Sequence, residues 1–167
     1  MDEQAKKTAL RMIPYGLYVL TAADGNGNAA AATVNWVTQT SFKPPLVVVG
    51  VKQDSGAHAL IKETRSFALN VLGKGQQGMA FAFFKPAELD GHKISGENFF
   101  TGETGAPLLE SAIAWLDCRV TDWVEGGDHT VCVGEVVGAG VKQTPEGRAD
   151  DLTLNLKDLG DKVFYGG

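Results

Sequence analysis

The sequence predicts a mainly β fold, in which an antiparallel barrel of short strands carries a few short helices. At least six segments are rich in aliphatic and aromatic residues and are bounded by Gly, Pro, Asn or Asp, as strands are. Only two or three segments have a helical pattern, too few to alternate with the strands as a parallel sheet requires. A closed antiparallel sheet is expected because closure removes exposed strand edges.

The first two strands are expected to form a hairpin that follows a helix. Residues 3–12 have an amphipathic pattern, and Pro14 ends it because proline cannot continue a helix. The strand-like run 17–21 leads into residues 24–28, Asp-Gly-Asn-Gly-Asn. Asp-Gly and Asn-Gly pairs favour tight hairpin turns because these residues adopt positive φ. The return strand is therefore expected over residues 31–39.

The middle of the chain is expected to alternate strands with short helices. The continuous apolar run 46–51 predicts a buried strand. Residues 55–64 predict a helix with Asp54 or Ser55 as its N-cap. Residues 67–72 predict another strand, and residues 76–84 predict a second helix. Residues 85–107 are rich in Gly, Lys, Glu and Asn and predict a long irregular excursion. Connections of that length are usually functional or mobile.

Two long strands are expected to complete the sheet. Residues 112–124 and 130–141 have the apolar, β-branched composition of strands, and Glu-Gly-Gly-Asp at 125–128 joins them. Residues 152–156 and 163–165 are expected to close the chain.

Composition and charge exclude several classes of protein. The 167 residues, 44% hydrophobic and 21% charged, predict a single globular domain over residues 1–167. A net charge of −5 without a cluster of Lys and Arg argues against nucleic acid and against an anionic membrane surface as partners. No signal peptide is expected, and no apolar run reaches the roughly 20 residues of a membrane helix. Cys118 and Cys132 suit a reduced, cytoplasmic setting, with a disulfide between them as the less expected alternative.

A glycine pattern in the predicted hairpin matches a dinucleotide fingerprint but lacks its context. Residues 25–30 read G-x-G-x-x-A after a strand. That fingerprint opens a helix, and an acidic residue follows it about 20 positions later. Here residues 32–37 are strand-like, and positions 45–51 contain no acid. The hairpin interpretation is therefore preferred.

Three segments carry residues suited to a ligand. In residues 33–41, Trp36 offers an apolar face and Asn35 offers donors and acceptors, as a heteroaromatic ligand needs, although a strand with one solvated face explains the segment equally well. Residues 52–58 open a helix whose free N–H groups suit a phosphate, with an ordinary capped helix as the alternative. His129 lies beside an acid at a strand end, where it is a candidate proton donor or substrate clamp, or else a lone surface histidine.

Five segments stand in an order and spacing that resemble one known family. They are residues 34–46, 67–72, 105–109, 116–118 and 127–131. With the closing Phe-Tyr-Gly-Gly, they resemble the flavin reductase-like, FMN-binding split-barrel family over roughly residues 8–167. The stretch Trp-Val-Thr-Gln-x-Ser-Phe is most similar to flavoredoxins and to the flavin reductase module of flavodiiron proteins. The resemblance implies a six-stranded antiparallel Greek-key split barrel, usually a homodimer with FMN near the interface.

The resemblance also implies roles for individual residues. Those that would line or contact the flavin ring are Val34, Asn35, Trp36, Val37, Thr38 and Ser41. Those that would lie near the ribityl phosphate are Lys52, Ser55, His58 and, from nearby or from the partner subunit, Lys85. His129 would contact a nicotinamide donor, which makes it the candidate catalytic residue. Many members have a small residue where this chain has Trp36, and the tryptophan would restrict access by NAD(P)H.

Three functions agree with these observations. The first is an NAD(P)H:flavin oxidoreductase that uses FMN with NADH or NADPH and passes electrons to a redox partner protein, free flavin or ferric iron. The second is a flavoredoxin-like electron carrier, which would turn over NAD(P)H rapidly only with an added redox partner. The third is a non-catalytic barrel, whose preparation would be colourless and would reject FMN.

Overall fold

A computed structural model describes residues 1–167 as three α-helices, eleven β-strands and two 3₁₀ helices. The α-helices are α1 (Glu3–Arg11), α2 (Gly56–Thr64) and α3 (Gln77–Ala82). The strands are β1 (Tyr18–Ala23), β2 (Ala29–Val34), β3 (Val37–Phe42), β4 (Pro45–Lys52), β5 (Ser66–Val71), β6 (Leu89–Asp90), β7 (Lys93–Ile94), β8 (Glu97–Thr101), β9 (Pro107–Leu109), β10 (Ala114–Glu125) and β11 (His129–Val141). The 3₁₀ helices are Ala149–Leu152 and Leu156–Leu159. None of the helices has the length and apolar character that crossing a membrane requires.

Seven strands form one sheet in the order β2-β1-β5-β10-β11-β4-β3, and β6 to β9 form a second, smaller sheet. Every pairing is antiparallel, so the prediction of a mainly β, antiparallel fold is confirmed. The predicted count of six strands is corrected to seven, because the strand expected over 31–39 is divided into β2 and β3. No ladder of hydrogen bonds joins β2 to β3, so the main sheet is not closed by backbone pairing.

The two edge strands of the main sheet are consecutive in the chain, separated only by Asn35 and Trp36, which we call the seam. Three Cα–Cα steps across the seam span at most about 11 Å. The edges of a flat seven-stranded sheet would lie about 29 Å apart. The sheet therefore curls until its edges meet at the seam. The Gly50 N–H of β4 donates a 2.9 Å hydrogen bond to the Trp36 carbonyl and ties the seam to that strand.

Local side chains fix the start of α2 and the first hairpin turn. Ser55 is the N-cap of α2, which begins at Gly56. Its hydroxyl accepts a hydrogen bond from the His58 N–H at 3.1 Å. This helix ends at Arg65, which has the left-handed φ of 58°. In the turn, the Asp24 carboxylate accepts hydrogen bonds from the backbone of Asn26 and Asn28. A strand follows this turn, which confirms the hairpin interpretation of the glycine pattern.

Strands β1 and β5 of the main sheet are buried on both faces. Successive side chains of a strand point to opposite faces, and β1 follows this rule. Leu20 and Ala22 pack in an inner cluster with side chains of β4, β5, β10, β11 and α2. Val19 packs in an outer cluster that includes residues of α3, β7 and β9. The inner cluster fills the concave side of the curled sheet, and α2 covers it.

A buried asparagine anchors the long excursion, which contains the short strands β6, β7 and β8 where irregular structure was predicted. Asn70 on β5 is fully buried, and its Nδ2 donates hydrogen bonds to the Val19 carbonyl at 3.0 Å and the Thr21 hydroxyl at 3.1 Å. Its Oδ1 accepts a 2.7 Å hydrogen bond from the Leu109 N–H. One polar side chain thus fixes β9 against the centre of the main sheet.

The last part of the chain differs from the prediction. Asn155 and Thr153 form isolated bridges to Gly16 and Gly73, so residues 152–156 touch strand ends without forming a strand. Residues 163–165 have no regular secondary structure.

The two cysteines are buried, free and offset along the sheet. Cys118 is opposite Val136 and Cys132 is opposite Trp123, so the two thiols are not cross-strand partners and the alternative of a disulfide is not realised. Burial raises the pKa of each thiol to about 12.

Neither thiol is expected to react with iodoacetamide at about pH 8 while the protein is folded, because the thiolate is the nucleophile. The folded state holds these protons up to a pKa of about 12, whereas the ordinary value is 9.0. Because the unfolded chain loses these protons at lower pH than the folded protein does, the free energy of unfolding falls as the pH rises from about 9 towards 12. Mass spectrometry after alkylation, with and without denaturant, counts the modified residues. Alkylation of either cysteine in the native protein would contradict the burial described here.

Candidate functional site

A cavity of about 370 Å³ lies beside the seam. This volume falls within the roughly 300–1,000 Å³ of small-molecule sites. Of its 19 lining residues, 13 are hydrophobic, which suits a ligand with a large apolar ring. The predicted site residues that line it are Val34, Asn35, Trp36, Lys52, Ser55 and His129.

The other predicted site residues do not line this cavity; they are Val37, Thr38, Ser41, His58 and Lys85. Three of them lie on β3, and the exposed Lys85 follows α3. The His58 ring, which was predicted to lie near the phosphate, is directed into the protein. Its Nε2 lies 2.8 Å from the Thr130 hydroxyl, and its ring centroid lies 4.7 Å from that of Trp123. Burial also lowers the pKa of His58, which disfavours the charged form that would bind phosphate.

Trp36 lines the cavity and carries a buried polar group that has no partner. Its indole Nε1 is buried and has no hydrogen-bond partner. An unpaired buried donor costs about 1–3 kcal/mol, so an acceptor on a ligand would relieve this cost. The ring packs against Gly50, where an added Cβ would lie 3.1 Å from a ring carbon. The absence of a side chain at Gly50 therefore lets the indole occupy this position.

The start of α2 gives the cavity wall the character of an anion site. The first N–H groups of a helix have no partner within the helix, and this end carries a partial positive charge. Lys52 Nζ lies 3.1 Å from the Asp54 carboxylate, and this interaction raises the pKa of Lys52. The Lys52 side chain is 56% exposed and is free to turn towards a phosphate. The Ser55 hydroxyl caps the helix and donates to the Lys52 carbonyl at 2.7 Å.

His129 is held between a carboxylate and a phenol. Its Nδ1 lies 2.8 Å from Asp128 Oδ1, and its Nε2 lies 2.7 Å from the Tyr165 hydroxyl. The hydrogen bond from His129 lowers the pKa of Asp128, so this carboxylate is an acceptor and Nδ1 carries the proton. In the neutral ring Nε2 then has the free lone pair, and the Tyr165 hydroxyl donates to it.

Sequence reasoning missed the contribution of the last residues and of the aromatic pair after α3. Phe83, Phe84, Leu156 and residues 163–165 all line the cavity. The Tyr165 ring centroid lies 5.3 Å from that of Trp36, and the Tyr165 carbonyl accepts a 3.0 Å hydrogen bond from Asn35 Nδ2. The segment has neither strand nor helix periodicity. The only signal for this contact in the sequence was therefore the resemblance of the closing Phe-Tyr-Gly-Gly to members of the family.

Residues 10–158 match the sequence profile of the flavin reductase like domain. The chain belongs to this family. This flavin reductase-like chain is 32% identical over 154 residues to an NADH-dependent flavin reductase of Pseudomonas fluorescens, covering 92% of the chain and 86% of that protein. It is also 32% identical over 142 residues to diflavin flavoprotein A 1 of Synechocystis, covering 84% of the chain and 24% of that protein.

The flavin reductase-like chain also resembles solved structures. It superposes with a TM-score of 0.69 and 32% identity on the NADH:FAD oxidoreductase of Streptomyces globisporus, solved in complex with NAD and FAD fragments, over 83% of this chain and 81% of that one. The chain spans only 42% and 57% of the length of two curated relatives from Rhizobium meliloti.

Proposed function

We propose that the chain binds FMN in the cavity beside the seam and acts as an NAD(P)H-dependent oxidoreductase that delivers electrons to an acceptor. The observation that carries this proposal is that one cavity brings together a buried, unpaired indole N–H, a helix start with an exposed lysine, and a histidine oriented by hydrogen bonds. The chemistry that a bound flavin supplies is acceptance of hydride from a reduced nicotinamide and onward transfer of electrons.

Each part of the cavity wall has a role in this proposal. Val34 and Trp36 would pack against the ring, and the indole N–H would donate to an acceptor at its edge. Lys52 and the start of α2 would hold the phosphate. His129, fixed in one tautomer by Asp128, would contact the nicotinamide. His58 would support the site indirectly, through its backbone N–H, which donates to the Ser55 hydroxyl that caps the helix.

We also propose that the curled sheet is a split barrel of the family type. If β2, the seam and β3 are counted as one bent strand, the sheet has six members.

The family resemblance supports a homodimer, which light scattering at several concentrations would test. Free, buried cysteines support a cytoplasmic setting. A redox partner protein is a candidate acceptor.

The visible absorption spectrum of the purified protein, before and after incubation with FMN and desalting, tests the cofactor. We expect retained flavin absorbance, and we expect NADH to bleach it under anaerobic conditions. A colourless protein that rejects FMN and lacks NADH:FMN activity would overturn the proposal. NADH and NADPH are compared in the same assay.

The flavoredoxin-like carrier is the second candidate function, and one observation favours it. Both ring nitrogens of His129 are occupied within the protein, and the Trp36 ring lies 4.6 Å from the His129 ring. This arrangement restricts direct access by a nicotinamide. Slow bleaching by NADH alone, with rapid bleaching after addition of a reductase, would select the carrier.

His129→Ala is expected to slow anaerobic reduction of bound FMN by NADH about 10–100-fold, because loss of a positioning contact misaligns the reactants. The Kd for FMN should change by less than about twofold, since the proposed contact is to the donor. Stopped-flow absorbance gives the rate and fluorescence titration gives the Kd. His92→Ala, which removes an exposed histidine outside the cavity, is the control. A change in FMN affinity alone would show that His129 binds the flavin instead.

A further inference from the structure

One residue, Tyr165, engages three of the side chains that line the cavity. The Tyr165 hydroxyl donates to His129, its carbonyl accepts from Asn35, and its ring packs beside Trp36. These are the side chains that line the cavity at and next to the seam. Tyr165 therefore takes up recognition groups that a ligand would otherwise use.

The contact with His129 has a specific chemical consequence. With Nδ1 committed to Asp128, Nε2 is the only ring atom left to meet a nicotinamide carboxamide, and the Tyr165 hydroxyl covers it at 2.7 Å. Burial raises the pKa of Tyr165, so the phenol remains a donor at neutral pH. A nicotinamide can therefore contact Nε2 only when the phenol has moved away.

The segment that carries Tyr165 is held by few interactions. None of the backbone N–H groups of residues 164–167 donates to another backbone group. Outside the cavity, the segment contacts Arg11, whose Nε donates to the Gly166 carbonyl at 3.3 Å and whose guanidinium lies 4.2 Å from the Phe164 ring centroid. The Tyr15 ring also packs beside Gly166. Phe164 is 52% exposed and Tyr165 is 46% exposed. Segments with so little buried area and backbone pairing open locally at low free energy.

We propose that Tyr165 is a latch that competes with the nicotinamide donor for His129, so that residues 163–167 set the access of the donor to the flavin cavity. This inference rests on the proposed function. In the latched state the Tyr165 hydroxyl is hydrogen-bonded to His129 Nε2. In the open state His129 Nε2 is free to contact the nicotinamide carboxamide. The apparent affinity for the donor is reduced by the fraction of molecules in which the latch is open.

Tyr165→Phe removes the hydroxyl and keeps the ring. A neutral hydrogen bond of ordinary net strength corresponds to a change of about 2- to 12-fold in the latch equilibrium. We therefore expect the KM for NADH to fall by about 2- to 12-fold, with kcat and the Kd for FMN unchanged within about twofold. In the His129→Ala background the same substitution should have no effect on KM. Tyr18→Phe is the matched control, because the Tyr18 hydroxyl forms no hydrogen bond and Tyr18 does not line the cavity.

A second measurement on the flavin-free protein reports on the latch without any activity. The ¹⁵N resonances of the His129 ring should show a protonated Nδ1 and an accepting Nε2, and Tyr165→Phe should shift the Nε2 resonance. Backbone relaxation should show greater mobility of residues 163–167 in this variant than in the Tyr18→Phe control.

The outcomes separate the two proposals. Failure to bind FMN or to oxidise NADH overturns the proposed function. It also overturns the proposed competition between Tyr165 and the donor. If the protein binds FMN and oxidises NADH, an unchanged KM in Tyr165→Phe overturns the latch. A lower kcat with an unchanged KM also overturns it and makes Tyr165 a positioning residue for His129. An Nε2 resonance that does not respond to Tyr165→Phe excludes the hydrogen bond on which the latch depends.

Discussion

Lys52→Ala is expected to raise the Kd for FMN about 10–100-fold, because a charge-assisted hydrogen bond to phosphate contributes about 1.5–3 kcal/mol. Lys52 lines the cavity at the entry to α2, and its only charged partner within hydrogen-bonding distance is Asp54. The Kd for riboflavin, which lacks the phosphate, should remain the same. Fluorescence titration of the variant with both ligands separates a loss of the phosphate contact from a general disturbance of the cavity.

Lys62→Ala is the matched control for this variant. Lys62 is a similarly exposed, ion-paired lysine on α2, but it contacts Glu125 and lies outside the cavity. Its removal should leave both Kd values unchanged. Adding Ser55→Ala to Lys52→Ala should weaken FMN binding further, at a cost to helix capping of about 1 kcal/mol in stability. Equal losses for FMN and riboflavin in Lys52→Ala would place the phosphate elsewhere.

Asn70→Ala is expected to lower the free energy of unfolding by about 2–5 kcal/mol, because it leaves buried backbone and hydroxyl groups without partners. Asn70 is fully buried and hydrogen-bonds to Val19, Thr21 and Leu109. For a chain of this size, that loss corresponds to a fall in Tm of about 4–20 °C. Calorimetry and urea titration of the flavin-free protein measure it.

Asn26→Ala supplies the comparison for the stability measurement. Asn26 lies exposed at the tip of the first hairpin, and its side chain does not pack in either core cluster. Its replacement should change the free energy of unfolding by less than about 0.5 kcal/mol. A similarly small effect for Asn70→Ala would mean that water or a shifted strand replaces the lost hydrogen bonds.

Local signals in the sequence predicted most of the fold. The helix over 3–12 and the helix after the Asp-Ser pair were correct because capping residues and prolines act within a few positions. The turn at 24–28 was correct because its two glycines, Gly25 and Gly27, adopt the positive φ that the turn requires. The division of the strand over 31–39 was not predictable, since it depends on the curl of the whole sheet. The short strands of the excursion depend on the distant side chain of Asn70.

The site was predictable to the extent that it lies in continuous segments. Residues next to the seam and at the start of α2 were identified from motif and helix-end chemistry, and the cavity includes them. The direction of the His58 ring was not predictable, because spacing along a helix does not reveal its contact with Thr130, far away in the chain. Tyr165 was missed because its contacts with Asn35 and His129 join residues more than 30 positions apart.

The seam also determines where this protein can change its length. An inserted residue in the 24–28 turn would lengthen a free loop at a small entropic cost. An inserted residue between Val34 and Val37 would push the two edges of the sheet apart and displace Asn35 and Trp36 from the cavity wall. Loop grafting and the insertion of foreign peptides should therefore be tolerated at the hairpin tip, and a chain with even one extra residue in the seam should lose its ligand before it loses its fold.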